Sequence, residues 1–181
     1  MTEQPRGRRA IEVGPTGKTV AANVARLRER RGLTTRQLSA RLQQAGRPIP
    51  ASGITRVEKG ERVVSSDDLV ALAVAFGVSP AALLLPLTDS PSDVVEVTGA
   101  GDVAADVAWR WGKGERPIRL TPGKERSEMV EHHLYGLPQW LWSTDADSSL
   151  MLARLEAAGI DVNGLMRDVG LIEPQGGDDD G

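Results

Sequence analysis

The sequence contains no cysteine in its 181 residues, which excludes disulfides, thiolate zinc sites and thiol nucleophiles. Aromatic residues are also scarce, with four Trp, one Tyr and one Phe. A core made mainly of Leu, Val and Ala suits small packed helices better than aromatic-rich strands. No apolar run approaches the ~20 residues of a membrane span, and the first thirty residues lack the apolar segment of a secretory signal. We therefore expect a cytoplasmic protein without a membrane segment.

The net charge of −3 conceals two parts of opposite sign. Residues 1–62 contain 14 basic and 5 acidic side chains, a net charge of +9. The remaining residues contain 8 basic and 20 acidic side chains, a net charge of −12. Each phosphate that Lys or Arg neutralises releases counterions locally, whatever the charge of a distant segment. We therefore expect the basic part of the chain to bind a polyanion.

Apolar residues recur at helical spacing between residues 19 and 85 and predict five short helices. Thr34 is expected to cap the second helix in a capping box, Ser65 the fourth and Ser79 the fifth. Four glycines are expected to end the first four helices: Gly32, Gly46, Gly60 and Gly77. Because the caps, the stops and the apolar period agree, the sequence predicts an all-α domain.

Composition divides the rest of the chain into further segments. We predict a disordered basic arm (1–18), the helical domain (19–87), a linker (88–100), a second, smaller and mostly helical C-terminal region (101–170) and a disordered acidic tail (171–181). Helices of the C-terminal region are expected at 103–111, 127–135, near 148–158 and at 162–169, whereas 94–97 is too short to assign. Four tryptophans lie in this region, and they either anchor a small core or form a surface that binds an effector, a partner or a second copy.

Three blocks of residues 20–86 follow one another in a recognisable order: GLTTRQLSARL, SGITRVEKGER and LVALAVAFGVSPAALL. Together they resemble the lambda-repressor-like, Cro-type (XRE) family of helix-turn-helix DNA-binding domains. The resemblance implies five helices, of which the helix at 51–59 enters the major groove. The turn between Leu42 and Ala51 is longer than in the compact phage form, which leaves the start of that helix open between Pro50 and Gly53.

The resemblance also implies which side chains meet DNA. Three residues at the start of the second helix are expected near phosphates, because a helix N-terminus attracts anions: Thr35, Arg36 and Gln37. Four exposed residues of the third helix are expected at base edges: Ala51, Ser52, Thr55 and Arg56. Arg56 is the strongest candidate, since a guanidinium pairs with guanine through two hydrogen bonds. Lys59 and Arg62 are expected to hold the DNA backbone, and the ion pair of Arg28 with Glu58 to orient the third helix.

These features predict a sequence-specific DNA-binding transcriptional regulator that acts as a homodimer on an inverted repeat of double-stranded DNA. The C-terminal region is the candidate for dimerisation or for binding an effector or protein partner. An alternative is a protein-interaction module, such as an antitoxin or accessory regulator, that uses the same fold. We expect no enzyme activity, because no nucleophile and base are clustered, and no cofactor or metal.

Overall fold

The computed structural model describes residues 13–138 together with residues 141, 161 and 164. Within this part of the chain there are seven helices and one two-stranded sheet. In chain order the elements are α1 (Pro15–Arg30), α2 (Thr35–Gln44), α3 (Ala51–Glu58), α4 (Ser66–Phe76), α5 (Ala81–Leu84), β1 (Val94–Val97), β2 (Gly101–Ala104), α6 (Ala105–Gly112) and α7 (Glu125–Gly136). None of these helices is long and apolar enough to span a lipid bilayer. The chain divides into two compact units between Lys113 and Gly114.

The core of the first unit lies among α1 to α5 and is almost entirely aliphatic. Its most deeply buried large side chains come from each of these helices and from the segments beside them: Val24, Leu38, Leu42, Ile49, Ile54, Val57, Leu72, Phe76, Leu83 and Leu85. Burying an aliphatic side chain of this size contributes about 1.5–3 kcal/mol. The predicted series of five helices is therefore present, and its core includes residues that the apolar period did not identify, such as Ile49 in the turn before α3.

The helix ends follow the predicted local signals, with one exception. Thr34 closes a capping box on α2, and Ser65 Oγ accepts a hydrogen bond from the Asp68 amide at 3.2 Å. The prediction that Ser79 caps α5 is wrong, because the N-cap is Pro80 and no side chain caps this single turn. The Ala82 amide instead donates to the Ser79 carbonyl, so backbone bonds satisfy the donors at this end.

Glycine ends the helices where the sequence predicts it. Gly32 and Gly77 have positive φ angles of 62° and 64°, in the left-handed region that side chains other than glycine rarely adopt. After Gly32, the Leu33 amide donates back to the Arg28 carbonyl at 3.0 Å. Gly46 and Gly60 also have positive φ and are followed by the same return bond. The stops after α1 to α4 are therefore confirmed.

The first helix begins earlier than predicted, at Pro15 instead of Thr19. Proline is favourable in the first turn because its fixed φ suits a helix and its missing N–H has no partner there. Residues 15–18 of the predicted disordered arm are thus helical, which corrects that prediction. Residues 1–12 of the arm lie outside the described residues.

A β-hairpin occupies much of the segment predicted as a linker. β1 and β2 are antiparallel, with Val95 opposite Val103. Val95 and Val97 are buried, and β1 contacts both α1 and α6. Thr16 and Thr98 exchange two hydrogen bonds, each from an amide to the other's hydroxyl, at 3.2 and 3.0 Å. Residues 88–100 therefore belong to the first compact unit, and the described fold is mostly helical without being purely all-α.

α6 completes the first unit. It begins at Ala105, two residues later than predicted, because Val103 and Ala104 pair in β2. Trp109 Nε1 donates to the Pro86 carbonyl at 3.0 Å, which ties α6 to the end of α5. Trp111 is 37% exposed. Trp109 therefore anchors α6 within the first unit, which is close to one of the two alternatives left open by the sequence, while Trp140 and Trp142 lie outside the described residues.

The second unit contributes α7 to the described residues. This helix spans Glu125–Gly136 and includes the predicted 127–135, with Val130 and Leu134 buried. The helices predicted near 148–158 and at 162–169 fall almost wholly outside the described residues, and the acidic tail falls entirely outside them.

Candidate nucleic-acid interface

The first turn of α2 is closed by hydrogen bonds between Thr34 and Gln37. The Gln37 amide donates to Thr34 Oγ1 at 3.2 Å, and the Thr34 amide donates to Gln37 Oε1 at 2.8 Å. Thr35 is half-buried, whereas Arg36 and Gln37 are exposed. The predicted phosphate-facing residues thus occupy an ordered helix N-terminus, where the helix dipole favours an anion. The cap uses the side-chain oxygen of Gln37, Oε1, so the side-chain NH₂ group can still donate to a phosphate.

α3 buries one face and exposes the opposite one. Gly53, Ile54 and Val57 are buried, whereas Ser52 and Arg56 are exposed. Residues four apart lie on the same side of an α-helix, so Ser52 and Arg56 project together. The helix therefore presents a polar face that points away from the core.

The other predicted residues of the α3 region differ in solvent exposure and in their hydrogen bonds within the protein. The helix begins at Ala51, within the range that the sequence left open. Ala51 and Thr55 are half-buried, and Thr55 Oγ1 donates to the Ala51 carbonyl at 3.1 Å. Arg56 Nη2 lies 3.5 Å from the Glu61 carbonyl, a long hydrogen bond. Lys59 is exposed at the C-cap. Arg56 and Lys59 are thus weakly held cations near the end of α3.

The turn between α2 and α3 is ordered although it is long. Ser39 Oγ donates to the carbonyl of Ile49 at 2.7 Å, and the Ile49 side chain is only 1% exposed. Arg47 Nε donates to Asp68 Oδ1 at 2.8 Å, and this hydrogen bond raises the pKa of the Arg47 guanidinium. The turn is therefore fixed at both of its ends, which sets the position where α3 begins.

Arg62, which is expected to hold the DNA backbone, also makes a contact within the protein. Its Nη2 donates to Asp68 Oδ2 at 3.0 Å, and its side chain is 33% exposed. Its Nη1 lies so close to Gly53 that a Cβ added there would come within 2.8 Å of it. The Arg62 guanidinium therefore bridges the first turns of α3 and α4, and any phosphate contact would be made from this position.

Arg28 and Glu58 link α1 to the last residue of α3. Arg28 Nε lies 2.5 Å from Glu58 Oε1 and Nη2 lies 3.1 Å from Oε2, so the pair is bidentate. Both side chains are largely buried, at 16% and 12% exposed. The hydrogen bond with Glu58 raises the pKa of the Arg28 guanidinium, and Nη1 donates to the Leu33 carbonyl at 3.0 Å. The pair has the geometry expected of a structural ion pair that orients α3.

Two buried polar residues that support this arrangement were missed by the sequence reasoning. Asn23 is 4% exposed and its Nδ2 donates to the carbonyls of Leu83 and Leu85 at 3.1 and 2.9 Å, which attaches α5 to α1. Asp68 is 4% exposed and accepts from Arg47 and Arg62. A signal was available for Asn23, since it lies on the apolar face with Val20, Val24 and Leu27.

The comparisons agree with this geometry. Residues 20–85 match the family described as a helix-turn-helix domain. No curated protein and no solved structure matches the chain. The matched residues begin within α1 and extend one residue beyond α5, so they contain the α2–turn–α3 unit and the helices that support it. Residues 20–85 are therefore similar to a helix-turn-helix domain in both sequence and arrangement of helices.

Proposed function

We propose that the protein is a sequence-specific DNA-binding regulator of transcription that inserts α3 into the major groove. The observation that carries this proposal is the exposed face of α3, where Ser52 and Arg56 project from a helix whose other face is buried. The helix-turn-helix match supports DNA as the partner class. A major groove admits an α-helix, and its base edges are read by side chains of this type.

Specificity rests on three polar side chains of α3 and on the methyl group of a fourth residue. Arg56 would pair with O6 and N7 of a guanine, and its long contact with Glu61 costs little to exchange. Ser52 can donate or accept a hydrogen bond at a neighbouring base. The Thr55 hydroxyl group donates its proton to the backbone carbonyl of Ala51. The Thr55 Oγ1 atom can therefore only accept a hydrogen bond from a base. Ala51 offers its methyl group for contact with a thymine methyl.

Affinity rests on cations and donors placed at both ends of the helix pair. Arg36 and the NH₂ group of Gln37 lie at the start of α2, while Lys59 lies at the end of α3. Contacts of this kind fix the position of a protein on DNA and do not distinguish sequences. The acidic remainder of the chain reduces the net charge to −3 without removing this local attraction.

The proposal includes a homodimer on an inverted repeat and no enzyme activity. Helix-turn-helix dimers bind half-sites about 34 Å apart, so the operator symmetry reflects the protein symmetry. The C-terminal unit is proposed to bind an effector or a protein partner that changes occupancy of the operator. The cytoplasm is the proposed compartment, where a regulator of this type reaches DNA.

The test is selection of bound fragments from random double-stranded DNA by the full chain, followed by titration across salt. Arg56→Ala is compared with Arg30→Ala, which removes the same charge from an exposed position on α1. Arg30 lies about 200° around the helix from Arg28, the residue that contacts α3, and so points away from α3. Arg56→Ala should weaken binding to the selected site by roughly 5- to 150-fold and relax one base position. Arg30→Ala should leave the preference unchanged.

Two results would contradict the proposal. Equal enrichment of all fragments by the native chain, with affinity set by salt alone, would exclude a sequence-specific regulator. In that case a stoichiometric protein partner should be sought, as for an antitoxin or accessory regulator. An unchanged sequence preference in Arg56→Ala would instead remove Arg56 from the base-reading set and leave Ser52 and Thr55 to be tested in the same way.

A further inference from the structure

The Arg62 guanidinium lies at the border between the buried and the exposed faces of α3. Its Nη1 atom is so close to Gly53 that a Cβ added there would come within 2.8 Å of it. Gly53 and Arg56 are three positions apart, so they are neighbours on the helix surface, about 60° apart around its axis. Gly53 is buried, whereas Arg56 belongs to the exposed face. Arg62 therefore flanks the face that is proposed to read DNA.

The glycine at position 53 leaves room for this guanidinium. Glycine inside a helix is less favourable than alanine, because it loses more conformational freedom on folding. Gly53 does not have the positive φ that would require a glycine. An alanine there would instead meet Arg62 Nη1 and, at 3.2 Å, the side chain of Ile49. The missing side chain thus lets Arg62 lie directly against α3.

A phosphate comes close to this position when α3 lies in the major groove. The groove is about 12 Å wide and a helix with its side chains is about 10–12 Å across, so phosphates border both flanks of an inserted helix. The Arg62 side chain is 33% exposed. Within the described part of the chain it donates only to Asp68, through Nη2, so its other nitrogens can donate to DNA.

The partner that Arg62 has in the free protein is chemically similar to a phosphate. Nη2 donates to Asp68 Oδ2 at 3.0 Å, and carboxylates and phosphates both accept charge-assisted hydrogen bonds from a guanidinium. Asp68 does not depend on Arg62 alone, because its Oδ1 accepts from Arg47 Nε at 2.8 Å. If Arg62 moved to DNA, the buried carboxylate would keep one charged partner, which avoids the large cost of an unpaired buried charge.

We infer that Asp68 competes with DNA for Arg62 and thereby lowers the affinity of the protein for DNA. Arg62 is held by Asp68 in the free protein and exchanges this carboxylate for a phosphate beside α3 on binding. Part of the free energy of the new contact is spent in breaking the old one. The inference rests on the proposed function for the place of α3 in the groove. Because phosphate contacts do not distinguish sequences, Asp68 lowers the affinity for all sequences alike.

The first experiment measures the affinity of the full chain for two labelled duplexes, at an ionic strength of about 0.15 M. One duplex has the most enriched sequence of the selection, and the other has the same bases in scrambled order. We expect Asp68→Asn to bind both duplexes about three- to tenfold more tightly than the native chain. A purely structural role of Asp68 predicts the opposite sign, because loosening the support of α3 weakens binding.

Asp67→Asn is the matched control for this measurement. It removes the same charge from the neighbouring position, where the side chain is 80% exposed and its ion pair is with Arg47. Because salt screens an exposed charge, we expect this variant to change the affinity by less than about twofold. An equal increase for the two variants would mean that overall charge, and not release of Arg62, controls the affinity.

The second experiment tests whether Arg62 carries the effect. In an Arg62→Ala background, Asp68→Asn should no longer increase the affinity, because there is no guanidinium to release. Arg62→Ala alone should weaken binding to both duplexes and reduce the slope of log affinity against log salt by about 0.9, the value for one phosphate. This slope is measured with Asp68 intact, so it tests the exchange even if Asp68→Asn does not fold. Circular dichroism identifies a temperature at which the compared variants are folded.

Three results would overturn the inference. They are a folded Asp68→Asn variant that binds no more tightly than the native chain, the same increase in the Arg62→Ala background, or an unchanged salt slope in Arg62→Ala. A native chain that prefers the enriched sequence, with no increase in Asp68→Asn, contradicts only the competition by Asp68. An increase that depends on Arg62, in a chain that binds both duplexes equally, contradicts only the sequence-specific reading of DNA.

Discussion

Arg62 Nη2 lies 3.0 Å from Oδ2 of Asp68, and this contact gives a predicted DNA-binding residue a role inside the protein. The other oxygen of Asp68 accepts from Arg47 Nε at 2.8 Å. Arg47 precedes α3 and Arg62 follows it, so one carboxylate holds the chain on both sides of the helix proposed to read DNA. The Asp68 side chain is only 6% exposed, and two guanidinium groups offset the cost of burying its charge.

Removing that charge should destabilise the domain. Asp68→Asn keeps the shape of the side chain but loses the ionic part of two hydrogen bonds. Because Arg47 and Arg62 are 43% and 33% exposed, solvent screens part of the effect, and we expect a loss of about 1–3 kcal/mol in the free energy of unfolding. Urea denaturation of the full chain measures it.

The neighbouring Asp67 provides the control for this prediction. Asp67→Asn alters an 80% exposed carboxylate with one loose contact at 3.7 Å, and its effect should stay within about 0.5 kcal/mol. Equal losses for the two variants would mean that the bridge to Arg47 and Arg62 adds no stability.

Breaking the ion pair between Arg28 and Glu58 should also lower stability. Glu58→Gln leaves a largely buried guanidinium without its bidentate partner, at a cost of about 2 kcal/mol. Glu29→Gln is the matched control, because Glu29 is 69% exposed and lies 3.4 Å from Arg28 Nη2. The two variants should separate clearly in urea midpoint, and a larger effect at Glu29 would contradict the structural role assigned to Glu58.

The position of the domain boundary can be tested by truncation. A chain ending at Leu87 loses the hairpin and α6, whose buried residues include Val95, Val97 and Ala108. It also loses the hydrogen bond from Trp109 to Pro86. We expect this chain to unfold at a lower temperature than one ending at Lys113, as followed by circular dichroism. Equal unfolding temperatures would show that residues 88–113 do not stabilise the helices.

The stability of the loop before α7 should depend on pH in the acid range. Hydrogen bonds from Thr121, first from its side chain and then from its backbone, lower the pKa of the Glu128 carboxyl, and the amide lies 2.6 Å from Glu128 Oε2. A lowered folded-state pKa stabilises the structure above the unfolded value of about 4.3. That contribution is lost as the pH falls through the folded value.

An NMR titration follows this transition at the Thr121 amide. Its signal should shift with a midpoint below about 4.3, and the shift should disappear in Glu128→Gln. A midpoint at or above the ordinary value would contradict the contribution of the Thr121 hydrogen bonds.

The sequence by itself determined the features that act within one or two helical turns. The Thr34 capping box, the Ser65 cap and the glycine stops after α1 to α4 are local, because each involves residues only a few positions apart. The apolar period likewise identified the core residues of α2 and α3. The order of helices and the resemblance to a helix-turn-helix domain follow from these local signals.

Only the tertiary structure decided the features that depend on residues far apart in the chain. Asn23 meets the carbonyl of Leu85 across 62 positions, and Thr16 meets Thr98 across 82. The contact between Thr16 and Thr98 connects the predicted linker to α1, within the first unit. From the sequence, Asp68 is an acidic residue in the first turn of a helix. Its contacts with Arg47 and Arg62 form only in the folded chain. A polar side chain becomes structurally important only when burial removes its hydrating water and the fold supplies its hydrogen-bond partners. Neither condition can be inferred from the residues next to it in the sequence.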